Sequence, residues 1–108
     1  MSSVDNRAII EKQAREFKIR HKLQKISDAI YKERAYQDNK WGSIYEHGHS
    51  LAEWVLIAEA ELAEAKHAVI KGGSGRNSVR SEIIQVMAVL QAALEQHDIE
   101  DDHEGRAL

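Results

Sequence analysis

SLAEWVLIAEAELAEAKHAVIK, residues 50–71, decides the fold of this 108-residue chain. Ser50 with Glu53 three residues later is a capping-box pattern, and two glycines follow Lys71, so the stretch predicts a helix with a marked start and end. Apolar residues recur along one face at steps of three and four, which predicts that this face lies in the core. These residues are Leu51, Val55, Ala58, Leu62, Ala65 and Val69.

A second stripe on the same helix combines apolar residues with two carboxylates. It consists of Trp54, Ile57, Glu61, Glu64 and Ala68. A helix face meant for water carries lysine and arginine among its acids, so Glu61 and Glu64 are out of place on a solvated surface. The segment SEIIQVMAVLQAALEQH, residues 81–97, repeats this combination with Glu82.

The loop GGSGRNS, residues 72–78, joins these two segments as a helix connection. Asn77 or Ser78 can cap the second helix, which we expect to run to about His97. That helix also has two apolar stripes, one of Ile83, Met87, Leu90 and Leu94 and one of Glu82, Val86, Val89 and Ala93. The pair of helices predicts an antiparallel αα-hairpin. Its apolar surface exceeds what two helices can bury against each other, so we expect oligomerisation to complete the core.

The segment from Ala8 to about Lys40 contains no glycine or proline and favours helix throughout. Its apolar stripes, Ile10, Ala14 and Phe17 and then Ile19, Leu23, Ile26 and Ile30, are out of phase. The phase slip predicts a bend or two helices near residues 17–20. The fold class is therefore all-α, a bundle of about four helices, with an N-terminal helical extension (1–21), a helical domain (22–97) and an acidic, frayed tail (98–108).

Composition narrows the class of protein. The chain has no cysteine, which excludes disulfides and zinc–thiolate sites, and no apolar run of the roughly 20 residues that span a membrane. The start MSSVDNR is not a signal peptide, so we expect a soluble, cytoplasmic protein without a membrane partner. Residues 1–40 hold ten Lys and Arg against six Asp and Glu, and such mixed signs favour a solvated helix over a nucleic-acid-binding face.

The carboxylates themselves predict a metal site. Glu61 and Glu64 project from one side of their helix, and Glu82 and Gln85 have the same spacing on the next. An antiparallel hairpin brings these four side chains to comparable heights. Carboxylates that converge on an apolar background are costly unless a cation compensates them. Mg²⁺, with Mn²⁺ as a possible substitute, is the candidate because it binds through a few carboxylates and substrate phosphates.

Other interpretations of the same residues stay open. Ordinary ion pairs could neutralise the carboxylates, with Lys66, Lys71, Arg76 and Arg80 as the partners. The GGSGRNS loop lacks the ending of a phosphate-binding P-loop and follows a helix, so it does not indicate a nucleotide cradle. His47 and His49 form an H-x-H pair, but a loop pair without further ligands is a weak metal signal.

Four segments taken in order resemble the MazG-like all-α nucleoside triphosphate pyrophosphohydrolases, especially the small single-domain members of phages and mobile cassettes. They are ERAYQDNKWG, HGHSLAEW, IAEAELAEA and SEIIQVMAVLQAAL, within residues 22–97. The family carries an E-E-x-x-E motif followed by E-x-x-D, and it hydrolyses nucleoside triphosphates to the monophosphate and pyrophosphate with Mg²⁺. The resemblance implies that Glu61, Glu64 and Glu82 are catalytic and metal-binding residues.

The sequence departs from the family pattern at two positions. Ala60 stands where the first glutamate of the adjacent pair is usual, and Gln85 stands where aspartate is usual. Gln85 still offers an oxygen as a metal ligand, but the site loses one negative charge. The first 20 residues and the tail lie outside the resemblance.

The substrate is expected to meet aromatic and basic residues around the carboxylates. The resemblance suggests that Trp41 stacks on the base and that Gln37 reads its edge. The basic residues nearest in sequence to the loop and the helix ends are Lys40, Arg76 and Arg80. They are therefore candidates for binding the substrate phosphates. The alternatives are that Trp41 packs under the loop and that Arg80 pairs with Glu82.

The function predicted from these residues is Mg²⁺-dependent hydrolysis of (deoxy)nucleoside triphosphates by a homodimer or homotetramer, in sanitation of the nucleotide pool. A related alternative, phosphoribosyl-ATP pyrophosphohydrolase, is disfavoured by the KWG and HGHS segments. The alternative from another class is a non-catalytic helical dimer, a degenerate relative that binds nucleotides or another protein. Pyrophosphate release separates the enzyme from the binding protein.

Overall fold

The computed structural model describes residues 3–107, with the side chains of residues 6–98. It consists of helix α1 (Ser3–Trp41), helix α2 (Leu51–Lys71), a short 3-10 helix (Gly75–Asn77) and helix α3 (Val79–Ala107). The described residues contain no strand, so the predicted all-α class is confirmed. The described part has three α-helices where the sequence predicted about four, and α3 continues past the predicted end at His97.

Helix α1 is continuous through the position where the sequence predicted a bend or two helices. Its 39 residues correspond to about 58 Å of helix. The side chains of residues 6–28 are all exposed, so no packed neighbour forces a break, and the segment has no glycine or proline. The two out-of-phase apolar stripes therefore lie on different sides of one helix. They do not mark two helices.

The ends of α2 are formed by the residues that the sequence marked. Ser50 Oγ accepts from the backbone N–H of Glu53, and the Glu53 carboxylate accepts from the N–H of Ser50. This confirms the capping box, which satisfies two backbone donors at the helix start. The helix ends at Lys71, and Ser78 Oγ caps α3 through the N–H of Ser81.

The buried residues of α2, Trp54, Ala58, Ala65 and Ala68, come from both predicted stripes, so the predicted core face is only partly buried. Ala58 and Ala65 are buried, but the large residues of that face, Leu51, Val55, Leu62 and Val69, are exposed. On α3 the stripe of Ile83, Met87, Leu90 and Leu94 is exposed in the same way. The core instead consists of Trp54, Ala58, Val89, Ala92 and Ala93. Small residues dominate this core because the two helices approach each other through alanines.

Helix α1 crosses the hairpin and packs on α3 through a short buried segment. Ile30, Glu33, Arg34 and Gln37 are buried there. Arg34 Nε donates to Glu95 Oε2 at 2.8 Å, which fixes α1 to α3. Gln37 Nε2 donates to the backbone carbonyl oxygen of Gln85 at 3.4 Å, so polar side chains of α1 also approach the start of α3, where Glu82 lies. Within the described residues, no helix has both the length and the apolar character needed to cross a membrane.

Candidate metal centre

The three glutamates that the sequence placed together do converge in the structure. Glu61 and Glu64 are three residues apart on α2, and Glu82 lies in the first turn of α3. One carboxylate oxygen from each of the three lies within 4.8 Å of the others. The antiparallel hairpin produces this meeting, because the last turns of α2 face the first turns of α3 across the connection.

The carboxylates differ in their access to water. Glu82 is only 4% exposed, Glu61 is half-buried and Glu64 is exposed. Glu61 Oε2 and Glu82 Oε2 are buried and have no hydrogen-bond partner. An unpartnered buried polar atom is costly, and more so when it is charged. These two oxygens therefore call for a partner that the chain itself does not supply.

Burial and mutual repulsion shift the protonation of this cluster. Loss of hydration on burial raises the pKa of Glu82 above its ordinary value, and the negative charge of Glu64 raises it further. The pKa of Glu61 is raised by burial first and then by Glu64 and Glu82. In the folded chain, both carboxyl groups therefore keep their protons to a higher pH than a carboxyl group exposed to water does.

The donor set fits a hard divalent cation. Such ions take carboxylate oxygens as ligands, and the two unpartnered buried oxygens supply them here. The alternative of neutralisation by direct ion pairs is not seen within residues 6–98, although the positive charge of Arg76 lowers the pKa of Glu82 in part. None of the four candidates, Lys66, Lys71, Arg76 and Arg80, forms an ion pair with Glu61, Glu64 or Glu82 in that range.

Gln85 is held by the backbone around the cluster. Its side-chain Nε2 donates to the backbone carbonyl oxygen of Arg76 at 2.8 Å, and its backbone carbonyl oxygen accepts from Gln37 Nε2 at 3.4 Å. The side chain thereby ties α3 to the hairpin connection. Its predicted role as a metal ligand stays a prediction.

A fourth carboxylate, Glu33 of α1, was missed by sequence reasoning. Arg76 donates two hydrogen bonds to the Glu33 carboxylate, from Nη1 to Oε1 at 2.9 Å and from Nη2 to Oε2 at 3.1 Å. The guanidinium of Arg76 also lies 3.8 Å from the centroid of the Tyr36 ring. The one available signal was spacing: Ile30, Glu33 and Gln37 recur at steps of three and four on one face of α1. That spacing does not reveal a contact with a residue 43 positions away.

A cavity of about 430 Å³ adjoins the carboxylates on the α1 side. Glu61 and Gln37 reach its wall, and two tryptophans, Trp41 and Trp54, line it together with the loop that follows α1. Trp41 is 54% exposed, so it borders the cavity without being packed beneath the loop. Lys40 Nζ lies 4.9 Å from the centroid of the Trp41 ring. Aromatic and polar groups thus meet beside the acidic cluster.

Of the remaining candidates, Arg80 is exposed, whereas His47 and His49 line the same cavity as Glu61 and have structural contacts. Arg80 is exposed and forms no ion pair with Glu82 in the described part of the chain. The ring of His47 lies where a Cβ on Gly42 would stand, and Gly42 has a positive φ of 91°. His49 packs edge-on against Trp54 at 4.8 Å. Among the described residues the H-x-H pair does not belong to a cluster of three or more metal-ligating groups.

Gln37 and Trp41 line the cavity beside the carboxylates, and Lys40 lies over the Trp41 ring. Arg76 pairs with Glu33, whereas Arg80 forms no ion pair within residues 6–98. Comparisons of the chain with protein-family models, with curated proteins and with solved structures find no match.

Proposed function

We propose that this protein hydrolyses (deoxy)nucleoside triphosphates to the monophosphate and pyrophosphate in the cytoplasm, with Mg²⁺ or Mn²⁺ as cofactor, and that it serves in nucleotide-pool sanitation. The observation that carries the proposal is the meeting of three carboxylates with two unpartnered buried oxygens beside an aromatic-lined cavity. A divalent cation suits the carboxylates, and a nucleobase suits the aromatic wall.

Glu61, Glu64 and Glu82 would hold the cation. When bound, it neutralises charge on the phosphate oxygens and activates water. One of the three carboxylates accepts the proton of the attacking water while the bond to pyrophosphate breaks and pyrophosphate leaves with the bonding electrons.

The cavity would bind the nucleoside. Trp41 borders it with an exposed ring on which a base can stack, and Gln37 contributes a buried amide. Both described donations of Gln37 come from Nε2, so Oε1 is the atom that would accept a hydrogen bond from a base. Arg76, which pairs with Glu33, and Lys40, which lies over the Trp41 ring, would bind the phosphates, with Arg80 as a further candidate.

The test is pyrophosphate release from each of the (d)NTPs in the presence of Mg²⁺. We expect release with at least one nucleotide and a loss of about 10²-fold or more in Glu64→Ala, since one charged group of the site is removed. Glu11→Ala is the control, because Glu11 is an exposed glutamate of α1 outside the cluster and outside the apolar groove, and it should retain full activity.

Two results would reject the enzymatic function. One is the absence of pyrophosphate with every nucleotide, which would favour the non-catalytic binding protein. The other is release that is unchanged in Glu64→Ala, which would place the activity outside this site.

We also propose that the chain assembles as a homodimer or homotetramer through the exposed face of the hairpin. Large apolar residues of both helices, among them Leu62, Val69 and Ile83, line one groove there together with Glu59 and Lys66. An apolar face shared by two helices is typical of a surface buried by association. A second copy supplies the same face, so the contact can be reciprocal.

Sedimentation velocity tests this assembly. We expect the wild-type chain to sediment as a dimer or larger, and Leu62→Lys with Ile83→Lys to shift it towards the monomer because charges would be buried in the contact. Tyr45→Lys, at an exposed loop aromatic outside the groove, is the control. A wild-type monomer at tens of micromolar would contradict the proposal.

A further inference from the structure

We propose that Glu33 is a fourth acidic group of the carboxylate site and that Arg76 holds it in reserve until substrate phosphates arrive. The inference rests on the proposed function, which supplies the cation and the triphosphate. It assigns to α1 a direct part in cation binding, in addition to its contribution to the cavity wall.

The carboxylate of Glu33 is buried and fully engaged. Glu33 is 8% exposed, and each of its oxygens accepts from one terminal nitrogen of Arg76. Gln37 Nε2 adds a third hydrogen bond to Oε2 at 3.1 Å. A bidentate arginine pair of this kind is among the strongest polar contacts in proteins. While it lasts, Glu33 has no free charge to offer a cation.

Hydrogen bonds connect this pair to the start of α3, which carries Glu82. Gln85 lies one turn after Glu82, and its side chain donates to the backbone carbonyl of Arg76. Gln37 bridges from the other side, since its Nε2 donates both to Glu33 and to the backbone carbonyl of Gln85. The negative charge of Glu33 also contributes to the raised pKa of Glu61 and of Glu82, after burial and the other glutamates. Glu33 therefore acts electrostatically on both.

The two partners differ in what they can reach. The Arg76 side chain is about half exposed and belongs to the hairpin connection, whereas the Glu33 side chain is buried on a helix. A guanidinium binds phosphate with the same fork of N–H groups that it uses for a carboxylate. Arg76 can therefore transfer its two donors from Glu33 to the phosphate oxygens of a nucleotide, and Glu33 stays in place.

That transfer would couple nucleotide binding to cation binding. A buried carboxylate that loses its arginine is costly until another positive charge replaces it. The adjoining site is the place where a divalent cation supplies that charge, next to Gln85, which is neutral. Since coupling of two binding events is reciprocal, the nucleotide should tighten the cation and the cation should tighten the nucleotide.

The test is Mn²⁺ affinity of the full chain without nucleotide, measured by electron paramagnetic resonance of the free ion. Arg76→Met is expected to tighten Mn²⁺ binding about fivefold or more, because Glu33 is released. Glu33→Gln should weaken it, and Arg76→Met should have no effect in the Glu33→Gln background. Arg20→Met removes the same charge from an exposed position of α1 outside the site and should leave the affinity unchanged.

Simple charge repulsion gives a different set of results, and it would overturn the inference. Under repulsion alone, Arg76→Met tightens Mn²⁺ equally with and without Glu33, and Arg76→Lys, which keeps the charge, changes nothing. Under the proposed exchange, in which Arg76 moves from Glu33 to the phosphates, Arg76→Lys also tightens Mn²⁺ binding because lysine cannot form the bidentate pair with Glu33. This exposed substitution keeps the test decisive if Glu33→Gln does not fold, which unfolding curves would reveal.

A non-hydrolysable triphosphate completes the test. It should tighten Mn²⁺ binding in the wild-type chain and lose that effect in Glu33→Gln. If the variants follow this pattern and no nucleotide is hydrolysed, the proposed hydrolysis fails while the exchange stands. If nucleotides are hydrolysed but substitution of Arg76 or Glu33 leaves the Mn²⁺ affinity unchanged, the exchange is wrong while the hydrolysis stands.

Discussion

Glu82→Gln is expected to lower the rate of pyrophosphate release by about 10²- to 10³-fold, because it removes the most buried negative charge of the site while keeping the shape of the side chain. Glu82 is 4% exposed and shares a 4.8 Å cluster with Glu61 and Glu64. Steady-state release at saturating Mg²⁺ measures the effect. Asp98→Asn, an exposed acid on the same helix, is the control and should leave the rate unchanged.

The same substitution should stabilise the cation-free protein. Glu82 Oε2 is buried without a hydrogen-bond partner, and the folded chain raises the pKa of Glu82 above its ordinary value of 4.5. The folded state therefore holds a proton that the unfolded state releases. The stability that this group contributes is complete below its unfolded pKa and is lost as pH rises through the folded pKa.

Urea unfolding in EDTA across this pH range checks that sign. The wild-type chain should lose free energy of unfolding from about pH 4.5 upwards, and Glu82→Gln should show a shallower loss and be more stable at neutral pH by about 1–2 kcal/mol. Glu61 keeps part of the slope, since burial also raises its pKa. An equal slope in both proteins, or unimpaired pyrophosphate release in Glu82→Gln, would show that Glu82 does not have this role.

Local signals in the sequence accounted for the hairpin and for its acidic cluster. Ser50 and Glu53 form the capping box that their spacing predicted, and α2 ends at Lys71 before the glycines. The helical repeat placed Glu61 and Glu64 on one side of α2, and the antiparallel connection then placed Glu82 opposite them. Each step depends on residues close in the chain or on a short loop, where propensity and geometry decide.

The sequence did not predict which apolar stripe the single chain buries. Leu62 and Ala58 both lie on the stripe predicted as core, but the alanine is buried and the leucine is exposed. Hydrophobic periodicity identifies an apolar face without telling whether its own chain or a second copy covers it. The sequence did not predict the Glu33–Arg76 contact for a related reason. This contact depends on how α1 packs against the hairpin, and no local sequence pattern determines that packing.

Trp54→Ala should have the largest effect on stability, lowering the free energy of unfolding by about 3–5 kcal/mol. Trp54 is the one large residue of a core otherwise made of Ala58, Val89, Ala92 and Ala93. Its ring is 8% exposed, and its Nε1 donates to Gln96 Oε1 at 2.9 Å. Alanine would leave a cavity that neighbouring alanines are too small to fill. A small domain has only about 5–15 kcal/mol in total, so the loss would unfold much of the population.

Two further substitutions separate this packing from the proposed function. Trp54→Phe keeps most of the ring and loses the hydrogen bond to Gln96, so it should cost less than Trp54→Ala, about 1–2 kcal/mol. Trp41→Ala, at a ring that is 54% exposed, should leave the stability within about 1 kcal/mol while it weakens nucleotide binding. Far-UV circular dichroism in urea measures all three. If Trp41→Ala were as destabilising as Trp54→Ala, the loop after α1 would be part of the core, and the cavity would lose its stacking surface.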